Sequence, residues 1–227
     1  MKIQNLRLRL FLFIGLALIF FMFADFLVFT ASGAENAAGS KLISTGNGDN
    51  IKTAEKIKLV FAVPANNIEG LSNFAKISDN FYRGAQPSAA GFKSLKKMGI
   101  KTVISLRAFH SDRDMIKGNG LYYMRVNFNT WHVEMKDILK VFKVILNPQY
   151  QPVFVHCEHG ADRTGTVSAI YRNVIQKWDM SDAIAEMKNF GFHEIWANLI
   201  KFLKVFDSVK FTELLKKEPA PAVELIK

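Results

Sequence analysis

From Ile77 onward the hydrophobic and polar positions of the chain alternate between strand-like runs and helical spacing. Ser88–Met98 puts Phe92, Leu95 and Met98 on one side and stops at Gly99, which predicts a helix. Lys101–Leu106 (KTVISL) is rich in β-branched residues and predicts a strand, followed by a charged loop, His110–Asp114. Leu121–Phe128 predicts a second strand and Val133–Leu146 a helix. Pro152–His156 (PVFVH) is short and apolar, the pattern of a strand buried on both faces of a parallel sheet. Thr164–Gln176 then carries Val167, Ile170, Tyr171 and Val174 at helical spacing. Ser181 as N-cap and Gly191 as stop bound a further helix, and Ile195, Leu199, Phe202 and Phe206 predict the core stripe of a last one. Strands interleaved with helices predict an α/β domain whose central, mainly parallel sheet is flanked by helices.

The N-terminus follows another pattern. Lys2, Arg7 and Arg9 precede an apolar run from Leu10 to Ala24, which Asp25 interrupts and Phe26–Phe29 resume before the small residues Ala31–Ala34. This is the order of a secretory signal, and the run is also long enough to span a bilayer as an uncleaved anchor. Both readings export the domain, with membrane association through residues 10–30 in the second, so a periplasmic or other extracytoplasmic location is expected. The expected organisation is a signal or anchor at 1–34, a polar linker at 35–62, one domain at 63–215 and a frayed tail with two prolines at 216–227.

The formal charge of +10 leaves +8 outside residues 1–34, which favours anionic partners such as phosphorylated ligands. The lysines are scattered without an aromatic-interleaved stripe, so nucleic acid is not an expected partner. A single cysteine, Cys157, excludes an intramolecular disulfide framework.

That cysteine follows the apolar strand and precedes, five residues on, Arg163 at the start of a helix: FVHCEHGADRTGT, Phe154–Thr166. Ligands of α/β sheets bind off the carboxyl ends of the strands, where this loop must lie. Amides of a tight loop at a helix N-terminus favour an anion, and Gly160 lets the backbone curve. The amides, the helix dipole and the guanidinium each favour a thiolate at Cys157. Arg163 offers a planar fork for two phosphate oxygens, and Thr164 or Thr166 a hydroxyl for the sulfur. His156 is expected to orient the loop, and Tyr82 and Arg83 to be structural residues of the first strand. His193 and Trp196 read as packing residues. The cluster His156, Cys157 and His159 matches no usual zinc spacing, so no metal ligand is expected.

HCEHGADRTG resembles the signature loop of the protein-tyrosine and dual-specificity phosphatase superfamily, His-Cys-x5-Arg-Ser/Thr. NFYRGAQPS (Asn80–Ser88), GIKTVISLR (Gly99–Arg107) and GFHEIWANL (Gly191–Leu199) resemble segments of its atypical bacterial and fungal dual-specificity-like branch. The resemblance spans Ile77 to Phe206 and implies the cysteine-phosphatase fold. It implies that Cys157 attacks phosphorus to form a cysteinyl-phosphate and that Arg163 holds the equatorial oxygens. Glu158, His159, Gly160, Ala161, Asp162 and Arg163 would line the phosphate site, with no cofactor required.

The pattern is departed from at one place. The family supplies a general-acid aspartate from a mobile loop before the cysteine, and here Val126–Met135 contains no Asp. Asp162 resembles the in-loop acid of myotubularin lipid phosphatases and is the favoured substitute. Asp112 or Asp114, from the loop after the strand ending at Leu106, and His132 or Glu134, from the usual position, are the alternatives. An arsenate reductase needs further cysteines, and a rhodanese-like sulfurtransferase has no use for the arginine–threonine pair. A non-catalytic phosphate-binding pseudophosphatase is the reading of a different class. The expected partner is a phosphorylated protein or a small phosphorylated ligand. Tyrosine or dual-specificity protein phosphatase activity is expected first, phosphoinositide or inositol phosphate hydrolysis second.

Overall fold

The computed structural model describes residues 59–227. The signal or anchor expected at 1–34, and the linker as far as residue 58, lie outside the described residues.

The elements run β1 (Ala75–Ser78), β2 (Phe81–Gly84), α1 (Ala89–Lys97), β3 (Thr102–Ser105), α2 (Arg113–Ile116), β4 (Leu121–Arg125), α3 (Met135–Ile145), β5 (Val153–His156), α4 (Arg163–Val174), α5 (Met180–Asn189), a 3-10 turn (Glu194–Trp196), α6 (Ala197–Lys204), α7 (Ser208–Lys217) and β6 (Glu224–Ile226). The six strands form one sheet in the order β1-β2-β5-β3-β4-β6. The four inner strands are parallel, and β1 and β6 close the edges antiparallel, so the sheet is mixed.

Alternation along each inner strand divides two hydrophobic layers. Ile104, Met124, Val153 and Val155 face one core with Ile138, Phe142, Val167, Ile170 and Phe211 of α3, α4 and α7. Val103, Tyr123 and Phe154 face the other, with Phe92, Leu95 and Ile116 of α1 and α2. Helices therefore cover both sides of β5, which accounts for the wholly apolar run Val153–Val155. Each fully buried Leu, Val or Phe here contributes about 1.5–3 kcal/mol.

Several expectations change. The C-terminal tail is not frayed: β6 pairs with β4, Ile226 enters the smaller core, and Arg113 forms a bidentate pair with Glu224. The Ser88 side chain caps α1, whereas the N-cap of α5 lies two residues earlier than expected, at Asp179 rather than Ser181. Ile195 is exposed instead of lining the core, because the 3-10 turn at Glu194–Trp196 breaks the helical phase before Leu199 and Leu203 turn inward. Contacts with the domain begin before residue 63: Phe61 stacks on Trp178 at 5.5 Å, and Ala62 N donates to Glu186 Oε2 at 2.8 Å.

The register puts Gly84, His156, Ser105 and Arg125 side by side at the carboxyl ends of the parallel strands. The segment Cys157–Asp162 leaves the sheet there and runs directly into α4.

Candidate active site

The loop between β5 and α4 takes its shape from groups outside it. Cys157 O accepts from His156 Nδ1 at 3.0 Å, Glu158 O from Gln86 N at 3.1 Å, His159 O from Asn73 Nδ2 at 2.9 Å, and Gly160 O from Arg83 Nη2. Four successive carbonyls are thus held outward. In a planar trans peptide the following N–H points the opposite way. The amides of Glu158, His159, Gly160 and Ala161 therefore face the interior of the loop, and none donates to an acceptor among the described residues. Gly160 has φ +72°, and a Cβ there would lie 2.5 Å from Gly84 C, so only glycine fits this close pass.

Cys157 sits at the base of this cradle, 1 % exposed. Arg163 opens α4; its Nη1 donates to Leu106 O at 3.3 Å and its buried Nε has no partner among the described residues. The two threonines are told apart here. Thr166 Oγ1 is committed to Asp162 O at 3.0 Å, whereas the Thr164 hydroxyl is buried with no partner, leaving it free for the sulfur. Unpaired buried donors around a convergent set of amides are the features of an anion site.

His156 is fully buried, and its Nε2 lies 3.2 Å from Asp112 Oδ2. Asp112 also accepts from Gln86 Nε2 at 2.6 Å and from the Tyr123 hydroxyl at 3.1 Å. Burial alone would raise the Asp112 carboxyl, but its bonds to His156, Ser105 and Gln86 and the His156 charge outweigh it and hold the group at about 2. Asp112 is therefore a fixed partner of His156, not a carboxyl that swings over the site. Gln86 joins the two halves of this network, since its side chain also accepts from Arg107, which reaches Glu158 Oε2 at 3.3 Å.

The acid candidates separate clearly. Asp114 is exposed on α2. Glu134 is ion-paired with Lys136, whose hydrogen bond holds the carboxyl below its usual range. His132 is exposed beside the Asn129–His132 bridge. Asp162 is 4 % exposed and neither bonds Arg163 nor caps α4. Its Oδ1 accepts from His193 N at 2.9 Å, and its Oδ2 lies 2.9 Å from His193 Nδ1. His193 thus belongs to the site rather than to packing: the left-handed Gly191 turns the chain after α5 back over the loop. Trp196 only packs at the edge of the larger core. His159, Asp162 and His193 bring donor atoms within 4.8 Å of one another, but the Asp162–His193 bonds already satisfy the carboxylate without an ion.

A lone thiol at the base of an amide-lined loop, with an arginine fork opening the next helix, is the layout shared with cysteine-dependent phosphatases. The chain belongs to the tyrosine phosphatase family, whose model matches residues 70–223. The dual specificity protein phosphatase TpbA of Pseudomonas aeruginosa strain UCBPP-PA14 is 36% identical over 124 residues, covering 53% of this chain and 55% of TpbA. The chain therefore spans about half the length of these relatives. The inositol diphosphatase SIW14 of Saccharomyces cerevisiae is 23% identical over 154 residues, covering 64% of this chain and 54% of that protein. A structure of P. aeruginosa TpbA in complex with pTyr matches with a TM-score of 0.61 at 25% identity, over 69% of this chain and 96% of that one.

Proposed function

We propose that this protein hydrolyses phosphomonoesters through a cysteinyl-phosphate. The observation that carries the reading is the set of four inward amides beside Cys157 and Arg163. Cys157 Sγ attacks phosphorus as the ester P–O bond breaks, and the departing oxygen takes a proton. Arg163 and the loop amides hold the three equatorial oxygens while charge builds on them. The Thr164 hydroxyl supports the sulfur as it becomes the leaving group, and water then attacks phosphorus, releasing inorganic phosphate and the thiolate. Asp162 acts with His193 as the proton donor to the first leaving group.

The substrate we propose is a phosphotyrosine-bearing or dual-specificity protein substrate. The loop supports this choice: CEHGADR carries two carboxylates and no lysine. Glu158 is exposed beside the loop and pairs with Arg107, which occupies a cation that the further phosphates of a polyanion would need. The similarity to TpbA, whose structure was solved in complex with pTyr, supports the same reading. The second reading, an inositol phosphate or phosphoinositide phosphatase, draws on the inositol diphosphatases among the relatives and on the basic charge. Export to the periplasm, by a cleaved signal or with an N-terminal anchor, completes the proposal; among the described residues no helix is long and apolar enough to cross a membrane.

The test is turnover of p-nitrophenyl phosphate, expected to be blocked by vanadate and lost in Cys157→Ser. A pure protein that hydrolyses no phosphoester would establish the pseudophosphatase reading instead. A panel of phosphotyrosine peptides, phosphoinositides and inositol phosphates then ranks the substrates, and a higher kcat/KM on inositol phosphates would overturn the protein-phosphatase assignment.

A further inference from the structure

Arg83 is a charged side chain that the chemistry above leaves without a task. It lies on β2, outside the Cys-x5-Arg loop, and is 1 % exposed. The carboxylate it senses most, Glu186, is already held by Arg172 in a bidentate pair at 2.9 and 2.7 Å. A buried guanidinium without its own carboxylate costs several kcal/mol and calls for another source of compensation. Part comes from Phe190, whose ring centroid lies 3.7 Å from Arg83 Cζ. Among the described residues its only hydrogen bond is from Nη2 to Gly160 O, and its Nε has no partner.

The Gly160 carbonyl belongs to the same peptide plane as the Ala161 N–H. Pulling that oxygen outward forces the N–H inward. Gly160, at φ +72°, has the freedom to swing this plane, so an external grip is what selects one orientation. The neighbouring plane is gripped in the same way, but by the neutral Asn73 amide, which also donates to Phe190 O at 2.9 Å. Phe190 thereby ties the two grips together, lying under one and accepting from the other.

We infer that Arg83 is a positioning residue of the phosphate loop, turning the Ala161 N–H onto the bound phosphoryl group and placing a buried positive charge behind the loop that holds the anion. The inference rests on the phosphatase reading and deepens it. Burial pulls the guanidinium down to about 10, opposed by Glu186 and Cys157, so it remains a cation at neutral pH. The remaining charged groups of the site are paired: Asp162 with His193, Asp112 with His156, and Glu158 with Arg107. Arg163 is the first cation of the phosphate site, and Arg83 is the second.

The experiment measures tungstate binding by calorimetry to the full-length Cys157→Ser protein, which binds oxyanions without turnover. Arg83→Met, with cooperative unfolding retained, is expected to weaken binding tenfold or more. Arg83→Lys should recover most of the loss, because it keeps the charge and a donor. Asn73→Ala removes a grip but no charge and should lose less than Arg83→Met. In the active protein Arg83→Met should raise KM as well as lower kcat, since the amide serves both bound substrate and transition state. Tungstate affinity within twofold of the parent in folded Arg83→Met overturns the inference. If that variant does not fold, Arg83→Gln and Arg83→Lys make the comparison: Gln must bind at least fivefold more weakly than Lys, and equal affinities overturn it. A parent that binds no oxyanion takes the phosphatase reading down too, whereas normal parent binding with an indifferent Arg83 removes this inference alone.

Discussion

Asp162 and His193 form a pair in which the buried member is a carboxylate and the member open to solvent is an imidazole; the two side chains are 6% and 48% exposed. Proton delivery matters most when the departing oxygen is a poor leaving group. Asp162→Asn and His193→Gln are therefore expected to slow hydrolysis of an alkyl phosphate by 10²-fold or more, within the range of about 10²–10⁴ for general acids. The same variants should barely affect p-nitrophenyl phosphate, and the limb of the pH–rate profile that reports the protonated donor should vanish. Equal losses on both esters would show that the pair only shapes the loop. The placement of Cys157, Arg163 and Asp162 around one loop was legible in the sequence because they sit in one short segment between a strand and a helix. His193 was not, since it lies thirty-one positions beyond Asp162 and reaches it only through the turn at Gly191. The roles of Asn73 and Arg83 were hidden for the same reason: an amide and an arginine on other segments carry no local sign of gripping a carbonyl.

Between elements, the segment from β3 to α2 and the end of β5 are joined by the buried Asp112–His156 contact. The Asp112 carboxyl titrates at about 2 in the folded protein against an ordinary 3.8. A depressed carboxyl contributes stability that is present above its unfolded value and lost as pH falls through the folded one. About 2 kcal/mol should therefore disappear between roughly pH 4 and pH 2, by the conversion of about 1.4 kcal/mol per unit. Urea unfolding of the parent and of Asp112→Asn over that range checks this: the two curves should converge in acid and separate toward neutrality. At this scale β3, β4 and β5 and the helices α1, α3, α4, α5 and α6 followed from apolar pattern, because each faces a core on a fixed period. The ten-residue α7 escaped it, as did the short α2, the 3-10 turn and β6. The last three each hold only two apolar residues, too few to show a period, and tertiary pairing decides their structure.

Across the whole molecule, the sheet ends in an edge strand contributed by the last residues of the chain. Removing residues 219–227 takes away β6, the burial of Ile226 and the Arg113–Glu224 pair. The ion pair is half exposed on both sides and contributes little, so the loss is set by Ile226 and the strand bonds, about 1–3 kcal/mol. A lowered Tm with kcat/KM changed by less than about threefold is expected, because the loop is gripped from β2 and its flanking segments and not from β6. A mainly parallel sheet was expected and the four inner strands are parallel, but the two antiparallel edge strands were not individually read: they are brief and flanked by loops or prolines, with no period of their own to read.

The outward grips on His159 and Gly160 bridge 86 and 77 positions of sequence. Such contacts form only after the intervening chain has been ordered, so the cradle is among the last features to be completed as the protein folds. A peptide carrying Phe154–Thr166 alone has no grips and no reason to turn its amides together. Asn73 and Arg83 precede the thiol in the chain, but β2 enters the sheet only by pairing with β5, so competence arrives with the completed fold rather than with the motif. The reverse holds in the native protein: transient opening of the β1–β2 edge would release the grips and silence the chemistry while most of the core stays packed.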